Sequence, residues 1–293
     1  MNDILNIAVV NFHDQWGDKE ANLNRIMGYI ECGAARGAQM IVFPEMCLTG
    51  YDDITQTPKK EKMQTLLAET ISGTSALQIE ELAKKHGVYV MLGMPERDAN
   101  DPSVIYNTMA VFSPQGQVRS YRKIHLCLNE SAWGVGGSEP LLLDTPWGPI
   151  GCAICYDVYY FPELIRYYAA KGARMVINST ALAKTRGANK GRMTLETACI
   201  VNGIYMATAN LCGQEPVNDF FGGSNVIGPS QTMHEVYYYA GKAFGEEHAD
   251  EQQMYLATID LSLAKRGIYQ PNPLTGKPDF NPEIYAKLYS SLL

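Results

Sequence analysis

Cys152 and Cys155 lie where an apolar run gives way to polar residues, in Ile150-Gly151-Cys152-Ala153-Ile154-Cys155-Tyr156-Asp157. A thiol works as a nucleophile only when a turn exposes its sulfur and a nearby group makes or keeps it as thiolate. The run fits a strand entering such a turn with Cys155 at its end, and the stretch from Pro162 to Ala170 reads as a helix just beyond. Two other groups stand where strands are expected to end. Glu45 follows Phe43-Pro44 and can serve as a base, and Lys123 follows the strand around Gln117 to Tyr121 and can face a developing negative charge. Each also has a plain structural role open to it: Cys155 as a buried thiol, Glu45 as a loop cap, Lys123 as a solvated strand end.

The elements that must position these groups follow from hydrophobic period and turn residues. Ile4 to Phe12 reads as a buried strand. Asp18 to Arg36 reads as an amphipathic helix with Leu23, Ile26, Met27 and Ile30 on one face, stopped by Gly37, and Met40 to Phe43 is the next strand. Glu61 to His86 divides into two helical segments near Ser72-Gly73, and Val88 to Gly93 is a strand. Val104 to Phe112 and Gln117 to Tyr121 form a hairpin. Leu141 to Leu143, Pro149 to Cys155, Arg174 to Asn178, Ile204 to Ala209, Ser224 to Ile227, Glu235 to Tyr239 and Met254 to Ile259 supply further strands. Helices are expected at Lys190 to Ile200 and Leu261 to Arg266. From Tyr269 the chain, with four prolines, reads as an extended arm ending in one helical turn. Short strands alternating with helices and hairpins imply paired sheets covered by helices rather than a single Rossmann sheet.

The chain has 293 residues, 46% hydrophobic and 19% charged, with a formal charge of −7. That composition supports one large domain and disfavours a nucleic-acid backbone as partner. The basic clusters Arg119/Arg122/Lys123 and Lys184/Arg186/Lys190/Arg192 lack aromatic interleaving and read as solvated surface, Lys123 excepted. No apolar run approaches the ~18 residues of a membrane span. Seven scattered cysteines suit a reduced, cytoplasmic setting. A disulfide between Cys152 and Cys155 is disfavoured, because strand alternation points them to opposite faces. Histidines 13, 86, 125, 234 and 248 show no ligand spacing, Gly134-Val135-Gly136-Gly137 follows no clean strand, and phosphate-loop, zinc-helix and serine-elbow motifs are absent. No metal and no organic cofactor is expected.

Phe43-Pro44-Glu45, Tyr121-Arg122-Lys123-Ile124-His125-Leu126 and Gly151-Cys152-Ala153-Ile154-Cys155-Tyr156-Asp157 resemble, in order and rough spacing, the motifs of the carbon-nitrogen hydrolase family, the nitrilase superfamily. The resemblance continues through Phe161-Pro162-Glu163-Leu164, Asn202-Gly203-Ile204-Tyr205, Asn210 and Gly222-Gly223-Ser224, over roughly residues 4 to 266. It implies a four-layer α-β-β-α sandwich and a triad of Cys155 as nucleophile, Glu45 as general base and Lys123 as electrostatic partner. It further implies that Glu130 orients substrate or lysine and that the backbone N–H of Tyr156 faces the oxyanion. The expected domain spans 1–268, with an arm at 269–293 that contacts a second copy in a homodimer or larger homo-oligomer.

Two departures stand out. Three residues, Val158-Tyr159-Tyr160, separate Cys-Tyr-Asp from Phe-Pro-Glu where the family usually has two, and the arginine frequent there is absent. Ala198-Cys199-Ile200-Val201-Asn202 lacks the arginine and glutamate of the corresponding family element. Cys155-Tyr156-Asp157 resembles the amidase and carbamoylase branches, so the expected substrate is a small amide or N-carbamoyl compound. Nitrile hydrolysis and a noncatalytic interaction role are the alternatives. Tyr51, Trp133, Tyr159 and Tyr160, with Tyr156, are expected to form an aromatic pocket rim, Trp133 closing it. The missing arginine argues modestly against a carboxylate-bearing substrate, and Asp52 and Asp53 offer a way to select an amine-bearing one.

Overall fold

The computed structural model describes residues 1–54, 56–230 and 235–293. His234, one of the histidines without ligand spacing, lies outside the described residues. In chain order the elements are β1 (Ile4–Asn11), α1 (Lys19–Ala35), β2 (Met40–Val42), α2 (Met63–Leu67), α3 (Thr74–His86), β3 (Tyr89–Arg97), β4 (Ile105–Phe112) and β5 (Val118–Arg122). There follow β6 (Leu141–Leu143), β7 (Ile150–Ile154), α4 (Tyr156–Tyr160), α5 (Pro162–Ala170), β8 (Met175–Thr180), α6 (Ala188–Asn202) and β9 (Tyr205–Asn210). The remainder is β10 (Cys212–Gln214), β11 (Asp219–Phe221), β12 (Asn225–Pro229), β13 (Val236–Gly241), β14 (Gln253–Asp260) and α7 (Pro282–Ser290).

Two six-stranded sheets result, ordered β14-β1-β2-β3-β4-β5 and β13-β12-β9-β8-β7-β6. They share one pattern of strand directions. In the first, β1, β2 and β3 run parallel, with β14 antiparallel on one side and β4 and β5 on the other. In the second, β7, β8 and β9 run parallel, flanked by antiparallel β6 and by β12 and β13. Because β14 comes from far along the chain to pair with β1, the second sheet is inserted within the first.

Alternation along β1 builds the layers. Leu5, Ile7 and Val9 face the central core with Met40, Val42, Met91, Ile150 and Ile154, whereas Ala8 and Val10 face the outer core beneath Leu23, Ile26 and Ile30 of α1 and Ile79 and Ala83 of α3. On the other side Ile165 and Tyr168 of α5 and Leu195 of α6 pack on the second sheet. The order is therefore helices, sheet, sheet, helices, the expected four-layer sandwich. Among the described residues, no helix is long and apolar enough to cross a membrane.

Three elements differ from expectation. The helix expected at Leu261 to Arg266 is a single 3-10 turn over Leu261–Leu263. The tail carries a nine-residue helix rather than one turn: Asn281 caps it by accepting from the Glu283 N–H, and Pro282 fits its first position. The short helix α4 fills the three-residue spacing after Cys155 that the sequence left as a turn.

Gly93 of β3 allows the site to form beside it. A Cβ there would lie 2.1 Å from the Pro44 carbonyl oxygen and 2.7 Å from the Glu45 Cα, both backbone atoms that cannot swing aside. Gly93→Ala is therefore expected to destabilise the protein by about 1–3 kcal/mol, the usual cost of overpacking. Urea unfolding checks this, and an unchanged midpoint would refute the close approach.

Candidate active site

Glu45 leaves the sheet just past β2. Phe43 still pairs with β3, its N–H donating to the Met91 carbonyl at 2.9 Å, before Pro44 ends the ladder. The chain then turns through Met46, whose φ of 56° lies in the left-handed region, and carbonyl Met46 accepts from Thr49 and Gly50. Lys123 leaves the same end of that sheet from its edge strand, immediately after β5. Its N–H donates to the Asn107 carbonyl of β4 at 2.8 Å, and its carbonyl accepts from Gly137 at 2.8 Å. The glycine run Gly134-Val135-Gly136-Gly137 thus packs on the backbone carrying Lys123. A Cβ at Gly137 would come within 2.4 Å of the Arg122 carbonyl oxygen, and one at Gly136 within 2.6 Å of that of Ile124.

The two side chains meet out of water. Lys123 Nζ lies 2.7 Å from Glu45 Oε1 and 2.6 Å from Glu130 Oε1, all three residues being buried. Glu130 sits in a 3-10 turn, Leu128–Ala132, and its Oε2 accepts from the Cys127 N–H at 3.0 Å. Tyr51 donates its hydroxyl to Glu130 Oε1 at 2.9 Å. Asn107, which sequence reasoning missed, donates its amide to Glu45 Oε1 at 2.8 Å and to Glu130 Oε1 at 3.4 Å. Glu45 Oε2 is buried with no hydrogen-bond partner among the described residues.

Cys155 comes from the second sheet. It follows β7 with φ 45° and ψ −98°, a conformation that costs a non-glycine residue of order 1–3 kcal/mol. Its own backbone holds it there. The N–H is shared between the Ser179 carbonyl and Asn178 Oδ1, each at 3.0 Å, while the carbonyl accepts from Val158 and Tyr159. Tyr156 is the first residue of α4, so its N–H has no acceptor within the helix. Cys152, three residues back, is fully buried with its carbonyl bonded to the Tyr168 hydroxyl, and Cys155, 8% exposed, opens on a pocket.

Two side chains, Ser179 and Asp157, join the halves of the site across the sheets. Ser179, whose carbonyl holds Cys155, donates its hydroxyl to the Phe43 carbonyl at 2.8 Å, two residues before Glu45. Asp157, two residues after Cys155, accepts from the Tyr121 hydroxyl at 2.7 Å and from the backbone N–H groups of Ile124 and His125 at 3.1 and 2.9 Å, on both sides of Lys123.

Burial dominates the electrostatics. It pushes the Cys155 thiol well up, and the Glu45 carboxylate adds to this while Lys123, the Thr180 side chain and the Ala181 backbone oppose it. The resting sulfur is therefore a thiol. Burial also raises Glu45, against Lys123 and with Glu130. Burial alone would lower Lys123, but the Glu130 and Glu45 carboxylates hold it well above its ordinary value. A carboxyl of raised pKa, a fixed ammonium and a thiol form an arrangement able to move one proton and stabilise one negative charge.

Tyr51, Tyr156, Tyr159 and Tyr160 line the pocket on Cys155, as the sequence suggested. Trp133 does not. At 1% exposed it packs against Met46 and Ile105 behind the Glu45 turn, because its backbone follows the 3-10 turn inward. Nor do Asp52 and Asp53 face a substrate. Asp52 Oδ2 accepts from the backbones of Val217 and Asn218 at 2.6 and 2.9 Å, and Asp53 pairs with Lys62 at 2.6 Å. Glu215 holds the same strap from the other side, accepting from the N–H groups of Tyr51 and Asp52.

The chain matches the carbon-nitrogen hydrolase family over residues 6–266 and belongs to that family. It is 32% identical to omega-amidase NIT2 of Danio rerio, over 86% of this chain and 90% of that protein. It is 28% identical to a probable nitrilase of Schizosaccharomyces pombe, over 97% and 98%. Among solved structures, Nit3 of Saccharomyces cerevisiae superposes with a TM-score of 0.79 at 24% identity, covering 96% of this chain and 98% of that one. An amidase from Nesterenkonia sp. superposes with a TM-score of 0.77 at 24% identity, covering 98% and 97%.

The raised Glu45 carboxyl links stability to pH. A carboxyl whose folded pKa exceeds its unfolded value contributes stability fully present below the unfolded value and lost as pH rises through the folded one. Glu45→Gln removes that loss, so its stability should decline less than wild type's as pH rises above the ordinary carboxylate range. Urea titrations across pH measure the difference, and parallel profiles would contradict it.

Proposed function

We propose that this chain hydrolyses a small amide or N-carbamoyl compound through a cysteine thioester. Glu45 takes the Cys155 proton as the sulfur attacks the carbonyl carbon. The resulting oxyanion lies between Lys123 Nζ and the Tyr156 N–H, and the protonated Glu45 then delivers its proton to the departing nitrogen. Release of ammonia or an amine leaves the thioester. Glu45 next activates water, whose attack frees the acid and restores the thiol. Glu130 holds Lys123 throughout. The observation that carries this reading is the division of labour on Glu45: Oε1 is occupied by Lys123 and Asn107, and Oε2 is left without a partner. The omega-amidase names of relatives at 32% identity support an amide rather than a nitrile.

A panel of small amides, carbamoyl compounds and nitriles with ammonia detection tests the reaction. Amide turnover is expected, with kcat/KM falling in acid as Glu45 becomes protonated, the fall beginning at higher pH than an ordinary carboxylate would give. Cys155→Ala should abolish turnover and the covalent intermediate seen by mass spectrometry while keeping the fold. Turnover by the folded variant, or turnover of nitriles alone, would overturn the reading.

We further infer a cytoplasmic homo-oligomer in which the arm from 269 meets a second copy. Supporting this, α7 lies against α5 through the Tyr289 hydroxyl on Glu163 at 2.5 Å and exposes Ile284, Leu288 and, beyond it, Leu292. Removing residues 270–293 should lower the assembly mass in light scattering, and an unchanged mass would count against the arm.

A further inference from the structure

Two buried carboxyl groups, Asp14 and Glu215, take no part in the chemistry above. They are 5% and 4% exposed and lie within hydrogen-bonding reach of each other. Local pairing explains the meeting. Past the end of β1 the Phe12 N–H donates to the Asn210 carbonyl at 3.5 Å, and the Cys212 N–H donates to the Phe12 carbonyl at 3.0 Å. The segment after β1 of the first sheet thus runs beside the segment after β9 of the second, which carries Glu215 just past β10. The basic groups near Asp14 are His13 and Arg25, and both are engaged elsewhere. The His13 ring lies 3.4 Å from the Gln214 carbonyl, and the Arg25 guanidinium stacks over Phe12 and donates to Gln252. The other groups facing the pair are Asp52, a further negative charge, and the Cys47 and Cys212 thiols, both held neutral by burial.

The two acids differ in what they bond. Glu215 accepts from the Tyr51 N–H at 2.9 Å on Oε1 and from the Asp52 N–H at 2.7 Å on Oε2, whereas no N–H or hydroxyl among the described residues reaches either Asp14 oxygen. Asp14 nonetheless sits directly under the same strap, since a Cβ on Gly50 would lie 2.8 Å from its Oδ2. Two carboxylates side by side in a dry site cannot both ionise at ordinary cost. Burial raises both groups, and the Asp14 charge raises Glu215 further, so the last proton belongs to the pair. The bonding places it on Asp14, whose O–H then supplies a donor to Glu215 while Glu215 stays anionic for the two backbone N–H groups.

We propose that Asp14 and Glu215 are positioning residues that share one proton and with it latch the Tyr51 strap onto the active site. Tyr51 is what the latch holds in place: its hydroxyl donates to Glu130, and its ring lines the Cys155 pocket. When hydroxide takes the shared proton as water, two anions face each other out of solvent, with Asp52 adding to the repulsion. Glu215 is tied to the strap by backbone bonds, so relief of that repulsion lifts the strap and withdraws Tyr51 from Glu130. The sign follows from the raised carboxyls: the hold is present while the pair keeps its proton and is lost as pH rises through the pair's last ionisation. Only the effect on turnover rests on the amide-hydrolysing reading above.

Hydrogen exchange read by mass spectrometry, scaled to the exchange of the unfolded peptide, tests the latch without substrate. Between neutral pH and the onset of unfolding seen by circular dichroism, protection of the Tyr51 and Asp52 amides should fall about tenfold in wild type, the scale of losing a hydrogen bond to a charged group. Asp14→Asn and Glu215→Gln each replace one acid by an amide that cannot ionise, so neither should show the fall. Asp14→Asn should also keep wild-type protection at neutral pH, because its amide N–H still donates to Glu215. A merely structural role would leave the wild-type profile flat. Turnover gives a second readout: kcat/KM for a hydrolysed amide should decline along the same alkaline limb in wild type and not in Asp14→Asn. Flat wild-type protection, an alkaline fall shared by the variants, or an activity limb unchanged in Asp14→Asn would overturn the latch. If no amide is hydrolysed, the hydrolytic reading fails and the exchange profiles alone judge the latch.

Discussion

One ammonium and two carboxylates taken out of water govern this molecule. Removing Lys123, Glu45 and Glu130 from solvent costs several kcal/mol per ion, and their mutual attraction offsets that cost only if the remaining donors and acceptors are supplied at close range. The scaffold supplies them from three directions. Asn107 comes from β4, Tyr51 from the strap that Glu215 holds, and a backbone N–H from the 3-10 turn bearing Glu130 itself. Loss of one charged partner would leave an unpaired charge sealed in the protein, typically a penalty of about 3–5 kcal/mol. Sequence positions 45, 107, 123 and 130 are therefore constrained as a set.

The nucleophile is held by a different logic. Cys155 occupies a backbone conformation that a strand would not adopt, and the parallel neighbour β8 fixes it through Ser179 and Asn178. Since the first sheet carries the charges and the second carries the sulfur, the reaction geometry depends on how the sheets sit against each other. Ser179 on Phe43 and Asp157 on the segment around Lys123 set that relation directly. Gly93 and Gly137 act by what they lack, leaving room for backbone to approach backbone.

Much of this was legible in the sequence because charged residues at strand ends are few and the motif order is specific. Glu45, Lys123 and Glu130 cluster, and Cys155 opens on the pocket that all four of the expected tyrosines share with it. Asn107 was not legible: an asparagine within a hairpin strand looks like any other, and its partners lie 62 and 23 residues away. Trp133 misled because a tryptophan beside glycines suggests a rim, while the turn before it directs the ring into the interior. Asp52 and Asp53 looked free because their partners, Val217, Asn218 and Lys62, are brought up by folding. In the tail the prolines masked a helix whose start signals, Asn281 and Pro282, were present.

The insertion of the second sheet within the first bears on how the chain is made. The strands of the second sheet occur within residues 141–241, so they can pair as that stretch leaves the ribosome. The first sheet cannot. All eight residues of β1 pair with β14, from Ile4 with Asp260 to Asn11 with Gln253, and β14 is synthesised last among the strands. Until then β1 presents an apolar edge with its backbone groups unsatisfied, open to pairing with a neighbouring nascent chain. Vectorial synthesis thus leaves the half that carries the charges as the exposed one for longest, and crowding of polysomes acts on that edge.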